Sequence, residues 1–245
     1  MIVSHKHHFI FFHTPKVAGS SVVKLLLEDL QHPLKAGARK VAKRAGIKPK
    51  RKYDVHETAL GARKILPPHV FYGYLKFALV RNPWDWHVSH YHFVRSTVHH
   101  FRHEEFKAFS GFDEYVDWVT GNLYTQHERL ADESGNLLVD FIGRFETLQD
   151  DFDRVFRLLG LPPMNLAHVN RSRHKDYRTY YTPRTRDLIA EARRIDIETF
   201  GYDFDGLRND VEIVRAFSPR ALQEAVDLGE AWEAPRAARR TRSRA

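Results

Sequence analysis

Cysteine is absent from this 245-residue chain, and methionine occurs only twice. Without a thiol the chain can form no disulfide, no thiolate metal site and no cysteine nucleophile. That composition suits a reducing compartment. Long apolar runs are missing too. None approaches the roughly 20 residues that span a bilayer. The longest near the N-terminus, Phe9-Ile10-Phe11-Phe12, falls short of the about 7–15 residues of a signal peptide's apolar region. The expectation is a protein with no membrane span that acts in the cytoplasm.

Two segments lack acidic residues altogether. Residues 33–52 carry nine Lys or Arg and the stretch after Ala234 carries five, so the formal net charge of +8 leaves −6 for everything else. The body is therefore no basic platform for nucleic acid, and no specific nucleic-acid partner is expected. It is a slightly acidic domain with one basic insertion and one basic tail, both poor in surface to bury. A hydrophobic share of 42% and an aromatic share of 13% are those of a folded chain, and the length suits one sizeable domain.

The apolar patterning alternates strand and helix. Residues 7–13, 75–80 and 137–142 read as buried strands. Residues 20–30, 56–66, 84 past 91, 112–119, 148–159 and 183–195 read as helices, and Phe200 to Phe204 as an aromatic closing segment. Such alternation predicts an α/β domain, a parallel sheet flanked by helices. The domain is expected over 1–205, with 33–52 as a basic insertion, and 206–245 as a C-terminal extension.

Two strand-to-helix junctions carry the chemistry. The first is His13-Thr14-Pro15-Lys16-Val17-Ala18-Gly19-Ser20-Ser21. A small-residue loop lets backbone N–H groups close around an oxyanion, and the helix that follows adds its positive end. Lys16 supplies a cation, and Ser20 and Ser21 supply hydroxyls. An ATP-type loop places its Lys directly after the last Gly; here Lys16 precedes Gly19. The plainer reading of this stretch is a capped helix after a turn. The second junction is Leu79-Val80-Arg81-Asn82-Pro83-Trp84-Asp85-Trp86, with Ser89 eight residues after Arg81. A guanidinium fork plus a hydroxyl suits a phosphate monoester; the plainer reading is an Arg paired to a carboxylate.

Taken together, in this order, the two junctions resemble those of the sulfotransferases that use 3′-phosphoadenosine 5′-phosphosulfate (PAPS), in particular the carbohydrate-type branch. The resemblance covers roughly residues 7–205. It implies the P-loop-like sulfotransferase fold and transfer of a sulfuryl group from PAPS to a hydroxyl or amine, leaving 3′-phosphoadenosine 5′-phosphate (PAP). By that resemblance Lys16, Gly19, Ser20 and Ser21 hold the 5′-phosphosulfate, and Arg81 and Ser89 hold the 3′-phosphate. The stretch Asn170 to Tyr181 resembles the family's nucleotide-covering segment and brings in Ser172, Arg173 and Lys175. The resemblance implies a carbohydrate or glycoconjugate acceptor; the basic insertion could recruit an acidic glycan, and lipid and small-molecule acceptors stay open. The family's Golgi members carry a membrane anchor, and the cytoplasmic, bacterial form is the one this sequence resembles.

A sulfuryl group carries less charge than a γ-phosphate, so no metal is required. Lys16 can steady the leaving oxygen, and a base must take the acceptor's proton. His56, expected at the start of a helix between the junctions, is the choice, with Glu57 second. The histidines at 87, 90, 92, 99, 100 and 103 form no His-Glu-x-x-His pattern, although His99 and His103 would share a face if helix continued through them. A P-loop-like nucleotide kinase and a non-catalytic nucleotide- or polyanion-binding protein stand as the alternatives.

Overall fold

A computed structural model describes residues 1–18, 22, 23, 25, 26, 53–166 and 174–208. The central sheet has four strands in the order β1 Ile2–Ser4, β2 Phe9–Phe12, β3 Leu75–Val80 and β4 Phe141–Arg144. Strand β1 is antiparallel to β2, while β2, β3 and β4 are mutually parallel. The expected parallel sheet thus forms, with an antiparallel edge strand that the apolar pattern did not reveal. Eight α-helices follow among the described residues: α1 Ala59–Ile65, α2 Pro68–Phe71, α3 Pro83–Ser96, α4 His103–Ala108, α5 Phe112–Val119, α6 Leu148–Leu158, α7 Pro183–Ala192 and α8 Arg194–Phe200. A two-stranded hairpin, β5 Tyr202–Asp203 and β6 Gly206–Leu207, ends the described chain.

All residues of β2 and β3 are buried, as expected of parallel strands covered on both faces. Alternation along the strands sorts their side chains. Phe9, Phe11, Phe77, Leu79 and Phe141 meet Phe152, Val155 and Phe156 of α6 on one face. Ile10, Phe12, Ala78, Val80 and Ile142 meet α1, α2 and Phe200 of α8 on the other. A third cluster lies among α3, α4, α5 and α7, built on Trp84, Tyr91, Val94, Phe106, Tyr115 and Ile189.

Several expected boundaries moved, each for a local reason. The helix expected from His56 begins at Ala59, because Thr58 caps it by accepting the Gly61 N–H at 3.0 Å; His56 stands in the turn before it. The third strand starts at Phe141 rather than Leu137, since Leu137 bridges Ala131 and the Leu138 N–H donates to the Leu130 carbonyl at 2.8 Å. The helix expected over 183–195 breaks at Arg193. That side chain turns inward and donates to His87 Nε2 at 3.1 Å and to the Val119 carbonyl at 3.1 Å. Helix α3 ends at Ser96 and α4 starts at His103, so no single helical face joins His99 to His103. The basic insertion 33–52, most of the helix expected over 20–30 and the tail beyond 208 lie outside the described residues.

Phe77 is fully buried against Phe9, Phe11 and Phe152, whereas Phe101 is 87% exposed. Phe77→Ala is expected to cost about 3–5 kcal/mol. Phe101→Ala should stay within about 0.5 kcal/mol of the parent. Denaturant unfolding of both variants checks the contrast; equal losses would mean that the sheet face is not the core.

Candidate functional site

The parallel strands β2, β3 and β4 end on the same edge of the sheet, the edge where open α/β proteins take ligands. The chain leaves β2 through the loop 13–18. Lys16 and Ala18 both have positive φ, 65° and 57°, a conformation that costs a residue with a Cβ about 1–3 kcal/mol and is found at ligand sites. Between them Val17 is buried in the sheet core. Two donors from beyond β3 tie the loop down. Trp86 Nε1 donates to the Pro15 carbonyl at 2.8 Å, and the Arg81 guanidinium donates to the Lys16 carbonyl at 3.2 Å. A trans peptide points its N–H opposite its C=O, so the N–H groups of Lys16 and Val17 are turned away from these donors. Thr14 is 1% exposed, and its hydroxyl has no partner among the described residues. A buried hydroxyl without a partner costs free energy unless a ligand satisfies it.

The Lys16 ammonium lies over the Phe93 ring, 3.8 Å from its centroid. Burial, and secondarily the charge of Arg81, lower its pKa to about 8.

The chain leaves β3 through Arg81 and enters α3. Asn82 caps that helix, accepting the Trp84 N–H at 3.0 Å. Pro83 opens its first turn, and Asp85 places a negative charge beside its positive end. Arg81 is 4% exposed. Its Nε and Nη2 both reach Asp85 Oδ2 at 2.7 Å, and its plane lies 4.2 Å from the Phe145 ring centroid. The carboxylate pairing weighed for Arg81 is therefore real. It coexists with the bond to the loop: these contacts engage three of the five N–H donors of a guanidinium. Ser89 is buried on α3, two turns beyond Arg81.

Lys175 is exposed, and its neighbour His174 ties this segment to α3 by stacking on His92 at 5.7 Å and 17°. Gly19, Ser20, Ser21, Ser172 and Arg173 lie outside the described residues.

His56 reaches the site through His13, the first residue of the loop. The two rings stack at 5.0 Å and 26°. Burial and then the Arg129 guanidinium lower the His56 pKa from its usual value, so the ring is neutral at pH 7. Glu57 is committed elsewhere: its carboxylate accepts the Thr58 N–H at 3.2 Å at the start of α1. Of the histidines of 87–103, His87 Nδ1 and His90 Nδ1 both meet the Tyr115 hydroxyl, at 2.9 Å and 3.2 Å, while His103 Nδ1 meets the Val94 carbonyl at 3.1 Å.

The structure thus joins Lys16 to Arg81 directly, sets Ser89 on the helix between them and the His174–Lys175 segment, and brings His56 to the loop's rim. Sequence reasoning missed the Thr14 hydroxyl, Asp85 as the partner of Arg81, and Phe93 beneath Lys16. The four-residue spacing of Arg81 and Asp85 was a usable signal, since such pairs face each other on a helical turn.

Residues 1–203 match the model described as the Sulfotransferase family. This chain belongs to the sulfotransferase family. It is also 31% identical, over 109 residues, to an uncharacterized protein of Archaeoglobus fulgidus; the match covers 44% of this chain and 87% of that protein. No solved structure matches the chain. Family membership carries sulfotransfer as the general activity, with an acceptor as second substrate. No helix among the described residues is long and apolar enough to cross a membrane.

The lowered pKa of Lys16 is directly measurable. In a 13C titration of lysine side chains, one Cε resonance is expected to titrate near pH 8, well below an ordinary lysine near about 10.4, and to vanish in Lys16→Arg. Because the charged form binds anions, affinity for any anion at Lys16 should fall as pH rises through that value, and a bound anion should push the midpoint up.

Proposed function

We propose that this sulfotransferase-family chain takes PAPS as donor and transfers its sulfuryl group to a hydroxyl or amine of an acceptor, with an acidic glycan the favoured acceptor and the cytoplasm the place of action. The observation that carries the reading is the Arg81–Lys16 contact, which fuses two anion-binding junctions into one site. A ligand that fits both needs two anionic groups, and the Thr14 hydroxyl, without a partner among the described residues, adds a buried donor beside the first. PAPS has that charge pattern: a phosphosulfate at one end and a 3′-phosphate at the other. The ATP reading suits the site less, because Lys16 stands before Gly19 rather than after it.

The donor supplies an activated sulfuryl group. Lys16, assigned to the phosphosulfate end with Gly19, Ser20 and Ser21, steadies the negative charge that grows on the leaving phosphate oxygen when the S–O bond breaks. Arg81 and Ser89 hold the 3′-phosphate, and Ser172, Arg173 and Lys175 close over the nucleotide. His56, neutral at pH 7, accepts the acceptor's proton as the new O–S or N–S bond forms. Lys16 and Arg81 provide the cationic field, so the scheme needs no metal.

Calorimetry on the purified protein should show PAP binding without added metal and far weaker ATP binding. Arg81→Ala should remove most of that preference, since a hydrogen bond to a charged group is worth about 1.5–3 kcal/mol. Equal affinities for PAP and ATP in the native protein, or strict magnesium dependence, would overturn the donor assignment.

Lys16→Ala and His56→Ala should fail differently. The first should impair both PAPS affinity and turnover. The second should spare PAP binding and lower turnover by about 10²–10⁴-fold. Transfer to a hydroxyl should slow as pH falls through the His56 pKa. Because burial and Arg129 lower that pKa, the falling limb should lie below the unperturbed value near about 6.5. Native turnover in His56→Ala would remove it from the mechanism.

A further inference from the structure

Arg81 acts only if the end of β3 aims it correctly, and the peptide that carries it is gripped from far away in the sequence. Gln126, 4% exposed, lies in the segment between α5 and β4. Its side-chain oxygen accepts the Arg81 N–H at 3.0 Å, and its side-chain nitrogen donates to the Arg81 carbonyl at 2.8 Å. One amide thus satisfies both backbone groups of Arg81, as a neighbouring strand would, at the point where β3 has run out of partners. Gln126 is itself fixed. Asp196 of α8, 1% exposed, accepts the backbone N–H of Gln126 at 2.9 Å and of His127 at 2.7 Å.

We infer that Gln126 is a positioning residue for donor recognition: with Asp196 behind it, it sets the direction in which Arg81 presents its guanidinium to the ligand's 3′-phosphate. A primary carboxamide suits this task because it carries an acceptor and two donors in one plane. A glutamate in its place keeps the acceptor for the Arg81 N–H but turns a carboxylate oxygen on the Arg81 carbonyl, two acceptors facing each other. The inference rests on the donor reading above, and the experiment separates their failures.

The probes are PAP and adenosine 5′-monophosphate (AMP), which differ only in the 3′-phosphate. Calorimetry is run on the native protein, Gln126→Glu, Arg81→Ala and the double variant, with circular dichroism to confirm folding. The native protein should prefer PAP strongly. Gln126→Glu should lower PAP affinity by about tenfold or more, a loss the size of one displaced charge-assisted hydrogen bond, while AMP affinity stays within about twofold. In the Arg81→Ala background Gln126→Glu should change PAP affinity no further, because residues acting through one contact are not additive. A folded Gln126→Glu protein that retains the native PAP-to-AMP ratio, or weakens both ligands equally, would overturn the inference. Additive losses in the double variant would overturn it too. If Gln126→Glu does not fold, Asp196→Asn serves instead: it leaves the Gln126 amide in place, loosens its backbone anchor, and must shift the same ratio. Native protein with no preference for PAP would sink the donor reading, and the inference with it.

Discussion

The parallel pairing of β2 with β3 is the constraint on which the site depends. Phe12 lies opposite Ala78, so the two strands end within a few residues of each other on one edge. A slip of one residue would send Phe9, Phe11, Phe77 and Leu79 to the wrong face of a sheet covered on both sides. The register is therefore held by the whole core rather than by the site. Because of it, the Lys16 loop and Arg81 can touch, and Trp86 and Arg81 can reach the loop's carbonyls at all. A motif of small residues and a motif of Arg, Asn and Pro are brought into contact through hydrophobic burial some distance away.

Around that edge the backbone groups that the sheet leaves unpaired are taken by side chains from remote elements. Glu146 Oε1 accepts the Asn82 N–H at 2.8 Å, and its other oxygen accepts the Tyr202 hydroxyl. Asp151 Oδ2 accepts the Arg144 N–H at 2.8 Å and the Thr147 hydroxyl at 2.7 Å where β4 turns into α6. Gln126 takes both groups of Arg81. Burial raises the carboxyl pKa of Glu146, and that of Asp196 to about 6; the backbone donors that each accepts oppose the rise. Carboxylates in such places are costly to bury and more costly to leave unpaired, which is why each is bonded to at least two partners. The backbone groups at the strand ends are thereby paired by the chain itself, the kind of fixed polar arrangement that can meet a charge with little reorganisation.

Much of this was legible in the sequence, and the parts that were not share a cause. The buried strands at Phe9 and Leu75 could be read because parallel strands are continuous apolar runs, and α5 and α6 because their apolar spacing is strong. The two junction motifs are local in sequence, so order and spacing sufficed to single them out as candidates. The antiparallel strand Ile2–Ser4 is three residues long, too short to show alternation. The break at Arg193 came from its bonds to His87 and Val119, which lie about 106 and 74 positions away, and no helical propensity encodes them. Gln126 and Asp196 gave no signal for the same reason: each acts on a backbone group whose partner is fixed only by the fold. His56 is a candidate by its place between the motifs, and its link to the loop is a ring stack on His13 that spacing does not foretell.

The electrostatics of the edge bear on the proposal that its ligand is doubly anionic. Burial first, and then the nearby charge of Arg81, depress the Lys16 pKa, and Asp85 offsets only one of the two cations. Without a ligand the site therefore holds like charges together in a partly desolvated place, and the fold bears that repulsion. A monoanion bound near Lys16 would relieve the pair but leave Arg81 turned to Asp85. A ligand with an anion at each end relieves both, because it restores the full charge of Lys16 while giving Arg81 an acceptor through N–H donors that Asp85 and the Lys16 carbonyl do not use. Under the PAPS proposal, a preference for two anionic groups follows from the placement of the two cations.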